Sequence, residues 1–373
     1  MLTIIIKGTN GCNLCCSYCS LGEKKNFKYV DKQKLKDIFS FACEWAVYRK
    51  EKEINFILHG GEPSLVHPGV YSGAIDLVNK NFPELDISIS MQSNGYSVTN
   101  DLISFALNYD VQFGISLDGS RLIHDQQRRT TGNAPTFDKV IHNIKKLKNV
   151  GINVSCLMVL TKNALGTGYE YLRFFEENHI HLKINPLLNY GEVYDHPELS
   201  LQEGDYAHYL IDLYEYSIKQ DISVMTSPID SILRAVLYGY KIGECSFNRE
   251  CSRHFLCIDY NGDVYPCGKF SDMASYKIGD IKKLSVQSVD DRIMPLLYER
   301  RNKKLPLKCN KCQYLTLCKG GCSAEAVIDG DMNKAPILCE DYKMLFDYFH
   351  REGLRLLKDE LRRQKRALEA RQE

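Results

Sequence analysis

Fifteen cysteines crowd into two parts of this 373-residue chain, and no other feature narrows its possible folds as much. Four fall within residues 12–19 and nine within 245–339, leaving Cys43 and Cys156 on their own. In a secreted chain such numbers suggest disulfides, but the start, MLTIIIKGTNGCNLCC, has only a short apolar stretch and does not read as an export signal. An odd count in tight clusters fits metal ligation in a reducing compartment, so a cytoplasmic location is expected. The 48 basic and 47 acidic residues leave a net charge of +1, which argues against a nucleic-acid partner. No apolar run approaches the roughly 18–20 residues of a membrane span, so no membrane partner is expected either.

Between the clusters the chain alternates. Short β-branched runs at 2–7, 54–59, 86–92, 111–117, 152–160 and 181–188 read as strands. Helix-period segments near 31–50, 66–82, 98–109, 136–150 and 167–179 separate them, and 202–219 and 228–240 continue the helical pattern. Strand–helix alternation of this kind builds a parallel sheet, and six strands predict an α/β fold with a partial (β/α)6 TIM-type barrel. Its chemistry would sit at the C-terminal strand ends. Residues 241–340 lose periodicity and become rich in cysteine and glycine, as in a fold held by metal with little core of its own. From about 341 the pattern is helical again, with Leu354, Leu357, Leu361 and Leu368 expected to pack as one stripe among charges. The implied domains are 1–225, 226–340 and a C-terminal charged helix over 341–373.

Directly after the first strand comes Cys12-Asn-Leu-Cys15-Cys16-Ser-Tyr-Cys19. Cys12, Cys16 and Cys19 give a C-x3-C-x2-C spacing that can wrap three thiolates around one [4Fe–4S] cluster. With no fourth cysteine nearby, one iron is left open for a small molecule. Cys15 is expected to point elsewhere and pack. This arrangement resembles the radical S-adenosylmethionine (SAM) enzymes, whose hallmark is such a triad after the first barrel strand. Further segments at successive strand ends fit that resemblance: Gly60-Gly61-Glu62-Pro63, Gln92-Ser93-Asn94-Gly95, and Ser116-Leu117-Asp118-Gly119 with Arg128 downstream. In similar enzymes the first segment holds the methionine amino group. Ser116 and Arg128 would meet the SAM carboxylate, polar neighbours including Asp118 the ribose, and Leu187 the adenine. The resemblance covers roughly residues 1–225.

The C-terminal cysteines run Cys245-x5-Cys251, Cys267, Cys309-x2-Cys312-x5-Cys318-x3-Cys322 and Cys339. A C-x2-C pair alone also suits structural zinc. The whole run resembles the SPASM extension of radical SAM enzymes that modify peptides and proteins. The resemblance implies two auxiliary [4Fe–4S] clusters, one on Cys245, Cys251, Cys267 and Cys322, the other on Cys309, Cys312, Cys318 and Cys339. Three clusters and SAM are therefore the expected cofactors. Cys257, Cys43 and Cys156 fit neither set and read as buried packing.

The resemblance implies an oxidoreductase. SAM bound at the open iron yields a 5′-deoxyadenosyl radical that takes a hydrogen atom from the substrate, and a flavodoxin or ferredoxin would supply the electron. In length and in the C-x5-C spacing the chain is similar to the anaerobic sulfatase-maturating enzymes, which oxidise cysteine or serine to formylglycine. Those enzymes carry a catalytic aspartate after the Tyr-Pro-Cys segment, where this chain has Gly268. His59 stands where they have glutamine, and Ser20 where many members are aromatic. Asp259, Asp263 and Asp272 flank the segment but read as turn carboxylates. Relatives lacking the aspartate are the maturases of ribosomally made peptides (RiPPs), which forge C–C or thioether cross-links. The expected function is such a peptide maturase acting on a precursor peptide, with formylglycine generation as the alternative. Strand one begins at Leu2, so no N-terminal peptide-binding domain is expected.

Overall fold

The computed structural model describes residues 1–21, 26–190, 193–194, 196–271, 273–291, 293–328, 330–358 and 361. Twelve strands follow the chain among them: β1 Leu2–Lys7, β2 Leu14–Cys16, β3 Glu53–His59, β4 Asp86–Ser93, β5 Gln112–Ser116 and β6 Arg128–Thr130, then β7 Val154–Leu160, β8 Leu182–Pro186, β9 Thr226–Ser227, β10 Phe255–Asp259, β11 Asp263–Tyr265 and β12 Gly279–Asp280. Ten of them form one sheet in the order β12-β11-β10-β1-β3-β4-β5-β7-β8-β9. Pairing is parallel from β10 through β9, and only β11 and β12 run antiparallel. The six strands expected from β-branched runs are its centre, and the α/β class holds.

Two parts of the sheet go beyond the expectation. Residues 255–259 (FLCID) add a parallel strand beside β1, with Ile4 opposite Leu256 and Ile6 opposite Ile258. The cysteine-rich segment thus reaches into the main sheet, across the boundary expected near residue 225. Leu256 and Ile258 are buried in the same core as Ile4, Ile54 and Phe56. This run is short and continuous, so it lacks the alternation that marks a strand in sequence. At the other edge the two-residue β9 pairs with β8.

The helices cover the sheet with apolar stripes, as their period demands. Lys32–Tyr48 starts at Asp31, whose carboxylate caps the N–H of Lys34, and buries Phe39 and Trp45; Phe39 stacks on Phe56 at 4.2 Å. Trp45 and Arg49 on this helix both bond to Asp290, tying it to the C-terminal segment. The helix expected over 167–179 is only Leu172–Glu177, because Gly166 is left-handed (φ +70°) and Gly168 follows. At the C-terminus, Cys339–Tyr348 is helical and packs through Tyr342, Leu345 and Phe346, followed by buried Phe349. Of the expected leucine stripe, Leu354 is partly buried against the core and Leu357 is half-buried, whereas Leu361 is 55% exposed and Leu368 lies outside the described residues. Among the described residues no helix is long and apolar enough to cross a membrane.

Candidate functional site

The parallel strands end on one side in a cavity of about 540 Å³. Its wall includes Cys12, Cys16 and Cys19, which the loop after β1 delivers together. A small two-stranded ladder fixes that loop: β2 pairs with β6, and Cys16 faces Arg128. The Arg128 Nη1 lies 3.9 Å from Cys16 Sγ, and Asn94 Nδ2 donates to Cys12 Sγ at 3.6 Å. Burial pushes the Cys12 thiol up to about 11 and Cys16 to about 12, so in protein alone both hold their protons. Cys15, expected to pack, is exposed. Successive strand residues face opposite ways, so the ladder that turns Cys16 inward turns its neighbour out. Cys43, Cys156 and Cys257 are buried.

The glycines at the end of β3 permit contact between two loops. Gly60 has φ +135°, and a Cβ on Gly61 would fall 2.0 Å from the Gly11 carbonyl oxygen. Gly61 N–H donates to Thr9 O and Glu62 N–H to Gly11 O, both at 2.8 Å. Glu62 is 1% exposed, and burial raises its carboxyl pKa. Its carboxylate accepts from the Ser64 N–H (3.0 Å), the Ser93 hydroxyl (2.8 Å) and the Asn94 N–H (2.7 Å). Glu62 therefore fastens the β3 loop to the β4 exit, whose Asn94 in turn reaches Cys12. Gly60, Gly61 and Glu62 line the cavity, whereas Pro63 lies outside the lining and accepts from the Tyr71 hydroxyl.

Ser116, Arg128 and Leu187 line the same cavity, and Asp118 does not. Asp118 is fully buried, and it accepts from Arg128 Nε at 2.8 Å, the Tyr18 hydroxyl at 2.6 Å and the Val159 N–H at 3.1 Å. Arg128 also lies over the Tyr18 ring at 5.2 Å. A second chain of bonds backs the pair. The Asp118 N–H donates to His124 Nδ1, leaving Nε2–H to donate to Thr136 Oγ1, which donates to Arg128 O. Burial lowers the His124 pKa to about 4, so the ring is neutral. Asp118 and His124 thus position Arg128. Tyr18 sat unread between Cys16 and Cys19, and His124 carried no sequence signal.

Cys245, Cys251, Cys267 and Cys322 line the same cavity from the other side, although 77 residues of chain separate the first from the last. Cys309, Cys312, Cys318 and Cys339 instead share a separate recess with Tyr314, Tyr342 and Phe346. Among the described residues no three Cys, His, Asp or Glu side chains close round a single metal ion. Two sets of four thiols, each lining one recess, suit polynuclear clusters with thiolate ligands. Two adjacent guanidiniums speak for anionic occupants. Arg300 (2% exposed) donates to the carbonyls of Met332, Gly320 and Lys334; Arg301 (0%) donates to Cys245 O, Ser246 O and, at 2.9 Å, Cys251 Sγ. None of these partners is a carboxylate. Buried like charges without counter-charge are costly, and thiolate-ligated clusters on either side would supply it. The residues fit iron–sulfur clusters.

Gly268 faces this cavity, and so do His59 and Lys269. His59 Nδ1 accepts the Gly60 N–H at 2.8 Å. Lys269 pairs with buried Glu325 at 2.9 Å, and its Nζ lies 4.0 Å from Cys322 Sγ. Neither Lys269 nor Glu325 stood out in sequence. Asp259 is a turn carboxylate taking the Asn261 and Asp263 N–H groups, Asp263 pairs with Lys277, and Asp272 lies outside the described residues.

Comparison with known proteins finds two family matches and several relatives. Residues 6–164 match the Radical SAM superfamily and residues 245–313 match SPASM, an iron-sulfur cluster-binding domain. The chain is 26% identical over 362 residues to a cysteine-type anaerobic sulfatase-maturating enzyme of Clostridium perfringens, covering 93% of this chain and 96% of that one. It is 25% identical to a serine-type enzyme of Bacteroides thetaiotaomicron, covering 90% and 86%. In fold it is similar to native anSMEcpe with bound AdoMet (TM-score 0.82, 24% identity, 97% and 100% covered). It is also similar to Streptococcus suis SuiB bound to the precursor peptide SuiA (TM-score 0.63, 18% identity, 91% and 76% covered).

Proposed function

Because this chain belongs to the radical SAM enzymes that carry an iron-sulfur cluster-binding extension, we propose that it oxidises a side chain in a peptide or protein substrate. The observation that carries this reading is the single cavity walled on one side by Cys12, Cys16 and Cys19 and on the other by Cys245, Cys251, Cys267 and Cys322. Simple electron transfer needs no such space, whereas a substrate held between two redox sites does. The relatives act on proteins or peptides, by their names, and support that substrate class here.

In this reading Cys12, Cys16 and Cys19 hold the cluster that binds SAM. Cys245, Cys251, Cys267 and Cys322 hold a second cluster, and Cys309, Cys312, Cys318 and Cys339 a third. When bound, SAM at the open iron supplies hydrogen-atom abstraction through its adenosyl radical. The chain's own work is positioning. Arg128, held by Asp118 and Tyr18, presents a fixed cation to the SAM carboxylate, with Ser116 on the same wall. Gly60 and Gly61 bring backbone groups close to the methionine end, and Glu62 keeps that loop in register with Asn94. Leu187, buried with Tyr18 and Val193, offers an apolar surface for adenine. A small reduced iron–sulfur or flavin protein of the ferredoxin or flavodoxin type would deliver the electron. The same proposal assigns SAM chemistry to 1–225 and the auxiliary clusters to 226–340, with the C-terminal charged segment 341–373 beyond.

The comparisons support formylglycine generation on a cysteine or serine, because sulfatase-maturating enzymes match nearly the full chain. Gly268 supports the second reading, an oxidative cross-link of the RiPP type, because a glycine cannot accept the proton that an aspartate there would take. Proton transfer by a placed base contributes roughly 10²–10⁴-fold. Mass spectrometry after anaerobic turnover decides between them. A cysteine-containing sulfatase peptide losing about 18 Da shows formylglycine, whereas a precursor peptide losing about 2 Da shows a closed bond when its tandem spectra join two residues and no aldehyde reagent adds to it, because serine oxidised to formylglycine also loses about 2 Da. If neither peptide changes while SAM is cleaved, peptide oxidation of both kinds is excluded for those substrates.

A further inference from the structure

The two auxiliary sites are not electrically alike. At the site of Cys245, Cys251, Cys267 and Cys322, Arg301 is fully buried and its Nη1 meets Cys251 Sγ at 2.9 Å. Lys269 brings a second cation to within 4.0 Å of Cys322 Sγ. Its side chain is 34% exposed and its residue lines the cavity. Glu325, 2% exposed, opposes Lys269 at 2.9 Å and also takes the hydroxyls of Ser246 (3.3 Å) and Tyr342 (3.4 Å). At the site of Cys309, Cys312, Cys318 and Cys339 the nearby lysines, Lys308 and Lys343, are 53% and 35% exposed and share Glu340. Arg300, the neighbouring buried cation, spends its donors on carbonyls.

Adding an electron to a thiolate-ligated cluster makes it more negative. A cation or an N–H aimed at its sulfurs therefore favours the reduced form and raises the potential. The effect is larger where protein and not water surrounds the charge, because the effective dielectric constant is lower. We propose that the Lys269–Glu325 pair, beside the fixed guanidinium of Arg301, tunes the cluster held by Cys245, Cys251, Cys267 and Cys322 to a higher reduction potential than the cluster held by Cys309, Cys312, Cys318 and Cys339. The proposal rests on the ligand sets given under the proposed function. Its consequence is that the first electron entering the auxiliary pair resides at the site facing the catalytic cavity. Lys269 and Glu325 are then positioning residues of opposite sign, acting through a cofactor.

The test is an EPR-monitored redox titration of the full-length, anaerobically reconstituted protein. Lys269→Met removes the cation and is expected to move the midpoint of one auxiliary signal to more negative potential. Glu325→Gln removes the opposing charge and is expected to move the same signal to more positive potential. Lys269→Arg restores a cation and is expected to lie near the wild type. In the wild type, the signal that these variants move is expected to be the first auxiliary signal to appear on reduction. Midpoints unmoved at full iron content, shifts of the same sign in Lys269→Met and Glu325→Gln, or movement of the later signal would each overturn the proposal. Should Lys269→Met fail to hold its iron, Glu325→Gln decides alone by the sign of its shift. Iron analysis separates this failure from failure of the ligand sets: if Cys267→Ala keeps all of the wild-type iron, the sets are wrong whatever the midpoints do.

Discussion

Replacing Asp118 by asparagine tests whether the positioning of Arg128 is electrostatic or merely steric. The carboxylate is fully buried and its partner Arg128 is 7% exposed, so neither charge has water to fall back on. Asparagine keeps the shape but removes the charge, and its one NH2 must face either the donors of Arg128 and Tyr18 or the N–H of Val159, where Asp118 only accepts. Removing one partner of a buried pair costs about 3–5 kcal/mol, because the other charge is stranded. Tyr18→Phe removes only one hydrogen bond to the same carboxylate and is expected to cost about 1.5–3 kcal/mol. The double variant should cost less than the sum, since both changes empty the same acceptor. Anaerobic urea unfolding of the cluster-loaded protein measures all three, with the chain's one tryptophan, buried Trp45 on the helix Lys32–Tyr48, as the fluorescent reporter. SAM affinity should fall in Asp118→Asn although Asp118 lies outside the cavity lining. An Asp118→Asn variant no less stable than Tyr18→Phe, with unchanged SAM affinity, would refute the electrostatic reasoning.

Further outcomes follow from the same geometry. His124 has a folded pKa of about 4 against an ordinary 6.5, so as pH falls from 6.5 toward 4 the unfolded chain takes a proton that the native ring refuses. Stability should therefore drop by up to about 1.4 kcal/mol per pH unit in that window, and His124→Asn should flatten the decline in anaerobic unfolding measured between pH 5 and 7. Gly61→Ala places a methyl 2.0 Å from the Gly11 carbonyl and must push the first cysteine loop aside. Iron analysis should show loss of about one third of the bound iron and no SAM cleavage, as for the Cys12, Cys16, Cys19 triple alanine variant, if three [4Fe–4S] clusters are present. Cys312→Ala should lower both iron content and thermal stability, since cluster binding is coupled to folding; an unchanged melting temperature would argue against that coupling.

The central strands were legible because runs such as LTIIIK and INFILH are β-branched or apolar and bounded by turns, and burial on both faces of a parallel sheet needs little else. The cysteine triad was legible because its spacing is local. What sequence withheld depends on long-range partners. Nothing near residue 255 announces that Phe255–Asp259 will lie against β1, since the pairing joins segments about 250 residues apart. The β2–β6 ladder that faces Cys16 with Arg128 and turns Cys15 out is equally non-local. The resemblance to radical SAM enzymes implies a SAM contact for Glu62 and Asp118, each at a strand exit. Their burial and bonds show that each carboxylate braces a neighbour, a distinction that residue type alone does not make. Arg300 and Arg301 lie in a stretch without periodicity and carry no signal there, and only the fold reveals them as buried cations beside the thiols.

Gly268 is where the two finer readings of the function part, and the surrounding packing bears on it. A Cβ at this position would meet Ile5 Cδ1 at 3.1 Å, so a longer side chain fits only if Ile5 yields by a few tenths of an ångström. Among the described residues three carboxylates line the cavity, and each already serves the protein. Glu62 accepts from Ser64, Ser93 and Asn94, Glu244 takes the Ser231 hydroxyl at 2.5 Å, and Glu325 holds Lys269. A two-electron oxidation of a C–H and X–H pair releases one hydrogen as an atom, the other as a proton, and a second electron to an acceptor, for which the thiol set of Cys245, Cys251, Cys267 and Cys322 on this wall would hold the cluster. The cavity is thus furnished for the first of these, with sulfur and fixed cations, more fully than for the proton. A substrate whose proton is already lost, or can leave through its own neighbouring groups, suits this wall better than one that depends on a carboxylate beside Cys267.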